Sequence, residues 1–147
     1  MPLLKPPYGR ITAYDMNKGE IAWQVPNGDT PPNIKEAFAK LGLTNVPPTG
    51  YPSQAGLLVT KTLLFGGEGS GGRPILHAYD KKTGAGIAEV PMPGNQTGVP
   101  MTYVYQNRQF IIMAVNGQPA GQLVAFALPL PAPAGGRGRG GRGGAPN

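Results

Sequence analysis

The chain writes nearly the same eleven residues twice, as AYDMNKGEIAW from Ala13 to Trp23 and as AYDKKTGAGIA from Ala78 to Ala88. In each copy an alanine–aromatic pair ends a strand and an aspartate, Asp15 or Asp80, caps a tight turn with its carboxylate. A glycine, Gly19 or Gly84, then takes the positive φ that closes the turn before the next strand begins. The copies stay in register to Pro26 and Pro91, and a decayed third copy reads VAFALP at Val124–Pro129. Upstream, LLVTKTLLF before the second copy parallels VYQNRQFII before the third, at the same distance from the alanine–aromatic pair. Each unit is therefore two strands, a loop, a third strand, a turn and a fourth strand. One Asp-x-x-x-Gly hairpin fits any β-sandwich. Copies in register with matching upstream strands argue instead for the repeated blades of a β-propeller. Trp23 suits that architecture, because a large flat ring on an outer strand can wedge between neighbouring blades. The second copy carries Ala88 at the matching position, so its blade needs other contacts.

Short strand signals fill most of the chain: RITAYD, GLLVT, TLLFGG, PILHAYD, GIAEVP, PMTYVY, QFIIMAV and QLVAFAL. VTKTL and YQNRQ read as tight reversals and GGEGSGGRP as a longer glycine-rich one. Only Pro32–Gly42 reads as a helix, with Asn33 as its cap, Gly42 closing its end, and Ile34, Phe38 and Leu41 on one face. The expected fold is all-β: residues 10–26 end one blade, 27–54 form an insertion with the helix, and 55–91 make a complete blade. Residues 98–129 then form a last blade lacking its fourth strand. Propellers close with four or more blades. The expectation is a longer protein whose N-terminal blades complete the ring and supply the missing strand.

Beyond Pro131 the chain ends in AGGRGRGGRGGAPN, and residues 132–147 are expected to be a disordered tail. Arg137, Arg139 and Arg142 hold half of the formal charge of +6, so the body is only mildly basic. RGG-type tails bind RNA through charge and stacking, which makes RNA binding one alternative function. Three arginines with no interleaved aromatic favour a solvated tail instead, and no nucleic-acid partner is expected. The absence of cysteine removes disulfides, thiolate metal sites and cysteine nucleophiles. No apolar run is long enough to span a membrane, and MPLLKPPYGR lacks the apolar core of a secretory leader. GEGSGG fits the dinucleotide-loop spelling, but a strand rather than a helix follows it. His77 reads as a satisfied structural histidine in mid-strand, and NQT at Asn95–Thr97 is a formal glycosylation acceptor that would mean little if the protein were bacterial.

The pattern A-x-D-x-x-x-G-x-x-x-W, formed by Ala13, Asp15, Gly19 and Trp23, resembles the tryptophan-docking motif of pyrroloquinoline-quinone (PQQ)-dependent dehydrogenases. Ala78, Asp80 and Gly84 repeat it without the tryptophan. PPYGRITAYDMNKGEIAWQVPNGD is similar to the C-terminal region of the glucose, quinate and shikimate branch, and TGVPMTYVYQNRQFIIMAVNG to that family's last blade. The resemblance implies an eight-bladed propeller in the bacterial periplasm, often tethered to the inner membrane. It implies PQQ in an axial funnel beside a calcium ion, oxidation of a sugar or alcohol, and electron transfer to ubiquinone or cytochrome c. The family's catalytic aspartate and its cation ligands have no match here, so no catalytic or metal residue is assigned. Ser53 and Gln54 at the head of one innermost strand, and Gln96 and Thr97 at the next, are the candidates for the funnel wall. A non-catalytic propeller that binds protein is a further alternative, against which PMTY and PYGRITAYD argue.

Overall fold

The computed structural model describes residues 5–53, 55–117 and 119–130. Gln54 and the glycine/arginine tail lie outside the described residues. Among the described residues nine strands form three antiparallel sheets. The first pairs β1 (Arg10–Asp15) with β2 (Glu20–Pro26). The second runs in order through β3 (Leu58–Val59), β4 (Leu63–Gly67), β5 (Ile75–Asp80) and β6 (Gly86–Pro91). The third joins β7 (Met101–Tyr105), β8 (Arg108–Val115) and β9 (Gln122–Ala127).

The two copies of the repeat fold alike down to their irregularities. Asp15 Oδ1 accepts the N–H groups of Asn17 and Lys18, and Asp80 Oδ1 accepts those of Lys82 and Thr83. Gly19 and Gly84 donate to the Asp15 and Asp80 carbonyls at φ 71° and 74°. Both hairpins shift register at the same place, between Ala13 and Tyr14 and between Ala78 and Tyr79. Such bulges increase local twist. The YQNRQ reversal is a two-residue turn with Gln106 and Asn107 both at positive φ, the backbone that matches strand twist in a hairpin.

Packing lies between the sheets rather than within a closed barrel. In β5 the side chains alternate, so Leu76 faces one neighbour and Tyr79 the other, and both are buried. Leu64 and Tyr79 meet Ile11, Trp23 and Val25 of the first sheet. Leu76 and Phe65 meet Met113, Val115, Val124 and Phe126 of the third, with Met92 between. That second cluster holds the blade whose repeat lacks a tryptophan. Ala88 itself sits on β6, which is exposed along its whole length. The opposite face of the third sheet presents Met101, Tyr103, Tyr105 and Leu123 uncovered.

The helix, α1 (Pro32–Lys40), departs from the sequence reading at its start. Pro31 occupies the cap position with no side-chain cap bond, and Asn33 lies inside the first turn. The fixed φ of consecutive prolines starts the helix without a polar cap. Its end is as expected: Gly42 at φ 74° donates to Ala39 and Leu43 donates to Phe38, a Schellman closure. Ile34 and Phe38 are half-buried, whereas Leu41 is exposed.

Antiparallel alternation sorts the connections into two ends. The turns after β1, β3, β5 and β7 lie at one end. The connections 27–57, 68–74, 92–100 and 116–121 lie at the other, and it is there that buried polar residues collect.

Candidate functional site

At the loop end the inserted stretch returns to where it left. Asn27 N–H donates to the Gly9 carbonyl, Tyr51 N–H to the Asn27 carbonyl, and Tyr8 N–H to the Thr49 carbonyl. Gly50 sits at φ 70°, and a Cβ on it would lie 2.8 Å from the Gly9 carbonyl carbon, so only glycine fits this crossing. Chain direction is thus fixed on both sides of a large insertion.

The Gly67 peptide is gripped from two sheets. Asn27 Nδ2 donates to its carbonyl at 3.3 Å from the exit of the first sheet. Gln96, at the approach to the third sheet, accepts the Gly67 N–H on Oε1 at 2.6 Å. Gln96 Nε2 donates to the carbonyls of Gly56 and Gly98, both at 2.7 Å. Its backbone is bridged to Val115. Asn95 Nδ2 donates to the carbonyls of Gly69 and Gly72. The connections after β2 and β6 are therefore tied to the end of β4 and to the glycine-rich connection that follows it.

Within that connection Glu68 is fully buried. Its carboxylate accepts the Arg73 backbone N–H at 2.6 Å and Arg73 Nε at 2.9 Å, and His77 Nε2 lies 3.0 Å away. His77 Nδ1 is 3.3 Å from Glu89 Oε1. A buried carboxylate needs such partners, because desolvation without them is prohibitive. The Glu68 carboxylate raises the Arg73 guanidinium above its ordinary range, the hydrogen bond being the largest cause. Burial, reinforced by Glu68 and Glu89, pushes the Tyr79 phenol up to about 12. Nearby, an ion pair with Lys35 lowers Asp29. Arg73, His77, Tyr79 and Asp29, together with Gly86–Glu89, border an open cleft of about 550 Å³.

The four candidate wall residues fare differently. Ser53 is half-buried, donates its N–H to the Tyr51 carbonyl, and carries a buried Oγ with no partner among the described residues. That hydroxyl lies against Gly69, where a Cβ would come within 2.7 Å of it. Gln96 directs its amide at backbone groups, and Thr97 is exposed, with its N–H donating to Ala114. Gln54 lies outside the described residues. Ser53 and Gln96 reach opposite ends of one short segment, Gly67–Gly69. The sequence reading missed Asn27, Glu68, Arg73 and Glu89. The one signal for them was a single carboxylate inside a glycine-rich loop followed by arginine.

The site's fit to the implied groups is uneven. The orphaned Ser53 hydroxyl is a neutral donor suited to one oxygen of a polycarboxylated quinone. Among the described residues no group of three His, Cys, Asp or Glu side chains is placed to hold a metal ion. The described residues thus offer a buried hydroxyl without a partner and no cluster of cation ligands.

Comparison with known proteins agrees with this architecture. Residues 1–111 match the family described as "PQQ: Glucose/ethanol/alcohol dehydrogenase, beta-propeller domain". The glycerol dehydrogenase large subunit of Gluconobacter thailandicus is 33% identical over 135 residues, covering 85% of this chain and 17% of that protein. A probable quinate dehydrogenase (quinone) of Xanthomonas campestris pv. juglandis is 31% identical over 139 residues, covering 88% of this chain and 17% of that protein. The chain therefore spans about a sixth of the length of these relatives. The crystal structure of the quinohemoprotein alcohol dehydrogenase from Comamonas testosteroni superposes with a TM-score of 0.53 at 22% identity, covering 80% of this chain and 16% of that one. That likeness shows the fold, a part of a propeller built from face-to-face antiparallel sheets. With three quarters of its length matched by the family's own profile, the chain belongs to the PQQ-dependent glucose/ethanol/alcohol dehydrogenase β-propeller family.

Proposed function

We propose that the protein carrying this chain is a quinoprotein dehydrogenase that oxidises a CH–OH group of a sugar or polyol and passes the electrons to ubiquinone or a cytochrome. The observation that carries the reading is the family match across residues 1–111, joined to sheets that stack as propeller blades. Relatives named for glycerol, quinate and glucose support the polyol and sugar class. In this reading residues 10–26 close one blade, 55–91 form a complete blade, and 98–129 form a blade whose fourth strand comes from elsewhere in the protein. The site of action is the bacterial periplasm, with attachment to the inner membrane through another part of the protein.

Bound PQQ supplies the two-electron acceptor chemistry, and the protein supplies orientation and surroundings. The part of this chain is limited. In this reading Ser53, upstream of the innermost strand, donates its hydroxyl to the quinone's periphery, and Gln54 and Thr97 are further wall residues. The proton-accepting aspartate and the calcium ligands belong to blades other than these.

Dye-linked assays with PQQ and calcium test the reading directly. The complete enzyme should reduce an artificial acceptor with glycerol, glucose or quinate, whereas the 147-residue chain alone should not. Robust turnover by the isolated chain would overturn this placement of the active site, and no turnover by the complete enzyme with any polyol or sugar would overturn the function.

A further inference from the structure

We infer that Gln96 is a positioning residue for the quinone pocket: its amide fixes the head of the innermost strand of one blade against the approach to the next. The inference rests on the proposed function above and adds a residue that itself makes no contact with the cofactor.

Gln96 is 3% exposed, and its amide uses both N–H bonds and one oxygen lone pair on backbone groups of two sheets. The three groups are not equivalent. Gly56 lies at the head of β3, Gly67 ends β4, and Gly98 lies on the way to β7. One planar amide therefore holds three backbone segments at a fixed separation. The glycines make the approach possible: a Cβ on Gly67 would come within 2.9 Å of Gln96 Oε1, and one on Gly56 within 2.8 Å of Val99. Gln96 is itself anchored by its bridge to Val115, so the third sheet sets where the second sheet's inner edge stands.

What is held in place is the segment that bears the orphaned hydroxyl. Ser53 lies three residues before Gly56, and its Oγ packs on Gly69, two residues after Gly67. Gln96 thus ties the chain three residues from Ser53, at Gly56, and two residues from Gly69, at Gly67, so one side chain acts near both flanks of the hydroxyl. A buried donor left without a partner keeps its value for a ligand only if its position is held. Gln96 has the geometry to do that without approaching the ligand.

The test is quinone binding by the complete apoenzyme, measured as a Kd by fluorescence quenching, alongside melting temperature. Gln96→Met keeps volume and removes all three bonds. Gln96→Glu places a carboxylate oxygen against two carbonyls. Ser53→Ala removes the hydroxyl alone, and Trp23→Ala serves as a destabilised control remote from the loop end. The expected result is about a tenfold weaker Kd in Ser53→Ala, roughly one hydrogen bond. A comparable or larger loss is expected in the Gln96 variants well below their melting temperatures, with Trp23→Ala binding like wild type. Partial recovery of affinity by Gln96→Glu as the pH falls would support the assignment, because a neutral carboxyl offers one O–H where the amide offers two N–H groups to the Gly56 and Gly98 carbonyls. If the Gln96 variants melt early but bind as tightly as wild type, or if Ser53→Ala leaves the Kd unchanged, the positioning role is overturned. If the wild-type apoenzyme shows no saturable binding, the proposed function fails before this inference is reached.

Discussion

Trp23 lies flat on Gly84: its Nε1 donates to the Lys81 carbonyl at 3.0 Å, and a Cβ on Gly84 would come within 2.6 Å of its Cε3. The tryptophan of one repeat is thus seated on the turn glycine of the next. Gly19 has the same backbone conformation with nothing near its missing Cβ. Replacing each glycine with alanine separates backbone strain from docking. Gly19→Ala should cost about 1–2 kcal/mol, the ordinary penalty for a left-handed alanine. Gly84→Ala should cost about 1–3 kcal/mol more, because the ring must move. In a Trp23→Ala background that excess should vanish. Urea denaturation of the intact protein measures it, and equal losses at the two glycines would show that the ring contributes nothing.

Glu68 should be the most sensitive charged residue of the described chain. It is fully buried, and its removal leaves Arg73 and His77 facing an empty space between Gly28 and Gly72. Truncating one member of a buried ionic group costs about 3–5 kcal/mol. Glu68→Ala should fall in that range, with Glu89→Ala well below it because Glu89 is 53% exposed. Chemical denaturation of both variants decides the matter, and a loss under about 1 kcal/mol at Glu68 would mean the network does not hold the loop.

Local features were legible in the sequence, and long-range ones were not. The Asp-x-x-x-Gly turns, the Gly42 closure and the YQNRQ reversal each depend on residues within five positions, so composition and spacing reveal them. The docking of Trp23 was legible because the motif occurs twice and the ring had to go between copies. Gln96 shows the limit. Its spelling suits a polar pocket wall, but its partners are 29 and 40 residues away, and only the fold shows that backbone occupies its amide. Asn33 shows a different limit: a good cap residue sits two positions too late because Pro31 and Pro32 already fix the backbone ahead of it. Glu68 sits in a glycine-rich loop whose spelling does not show that Arg73 and His77, five and nine residues on, close over it.

Alkaline stability should report on Tyr79. Its phenol is held up to about 12 against an ordinary 10, first by burial and then by Glu68 and Glu89. For a group whose folded value is raised, the stabilisation is complete below the unfolded value and is lost as pH rises through the folded one. The fold should therefore lose stability between about pH 10 and pH 12. Tyr79→Phe should flatten that part of the curve. Absorbance titration at a phenolate wavelength checks it: a late component that disappears in Tyr79→Phe is the expected pattern, and its persistence in that variant would refute the assignment.

The two copies of the turn differ in one respect that titration can read. In the second copy Thr83 gives Asp80 both its N–H and its hydroxyl, at 2.8 and 3.0 Å. The first copy has Lys18 at that position, which gives Asp15 an N–H alone at 3.3 Å. The Thr83 N–H and hydroxyl bonds are the leading causes that lower Asp80 below its ordinary 3.8. A lowered carboxylate contributes stability that is present above the unfolded value and is lost as pH falls through the folded one. Below about pH 4 the second hairpin should therefore loosen as Asp80 takes up its proton. Thr83→Val keeps the N–H and removes the hydroxyl, so it should move Asp80 partway back toward 3.8. Carbon-detected NMR of the Asp80 carboxyl measures both values. An unchanged titration in Thr83→Val would assign the lowering to backbone N–H groups alone, and Asp80 would then be held no differently from any Asx turn.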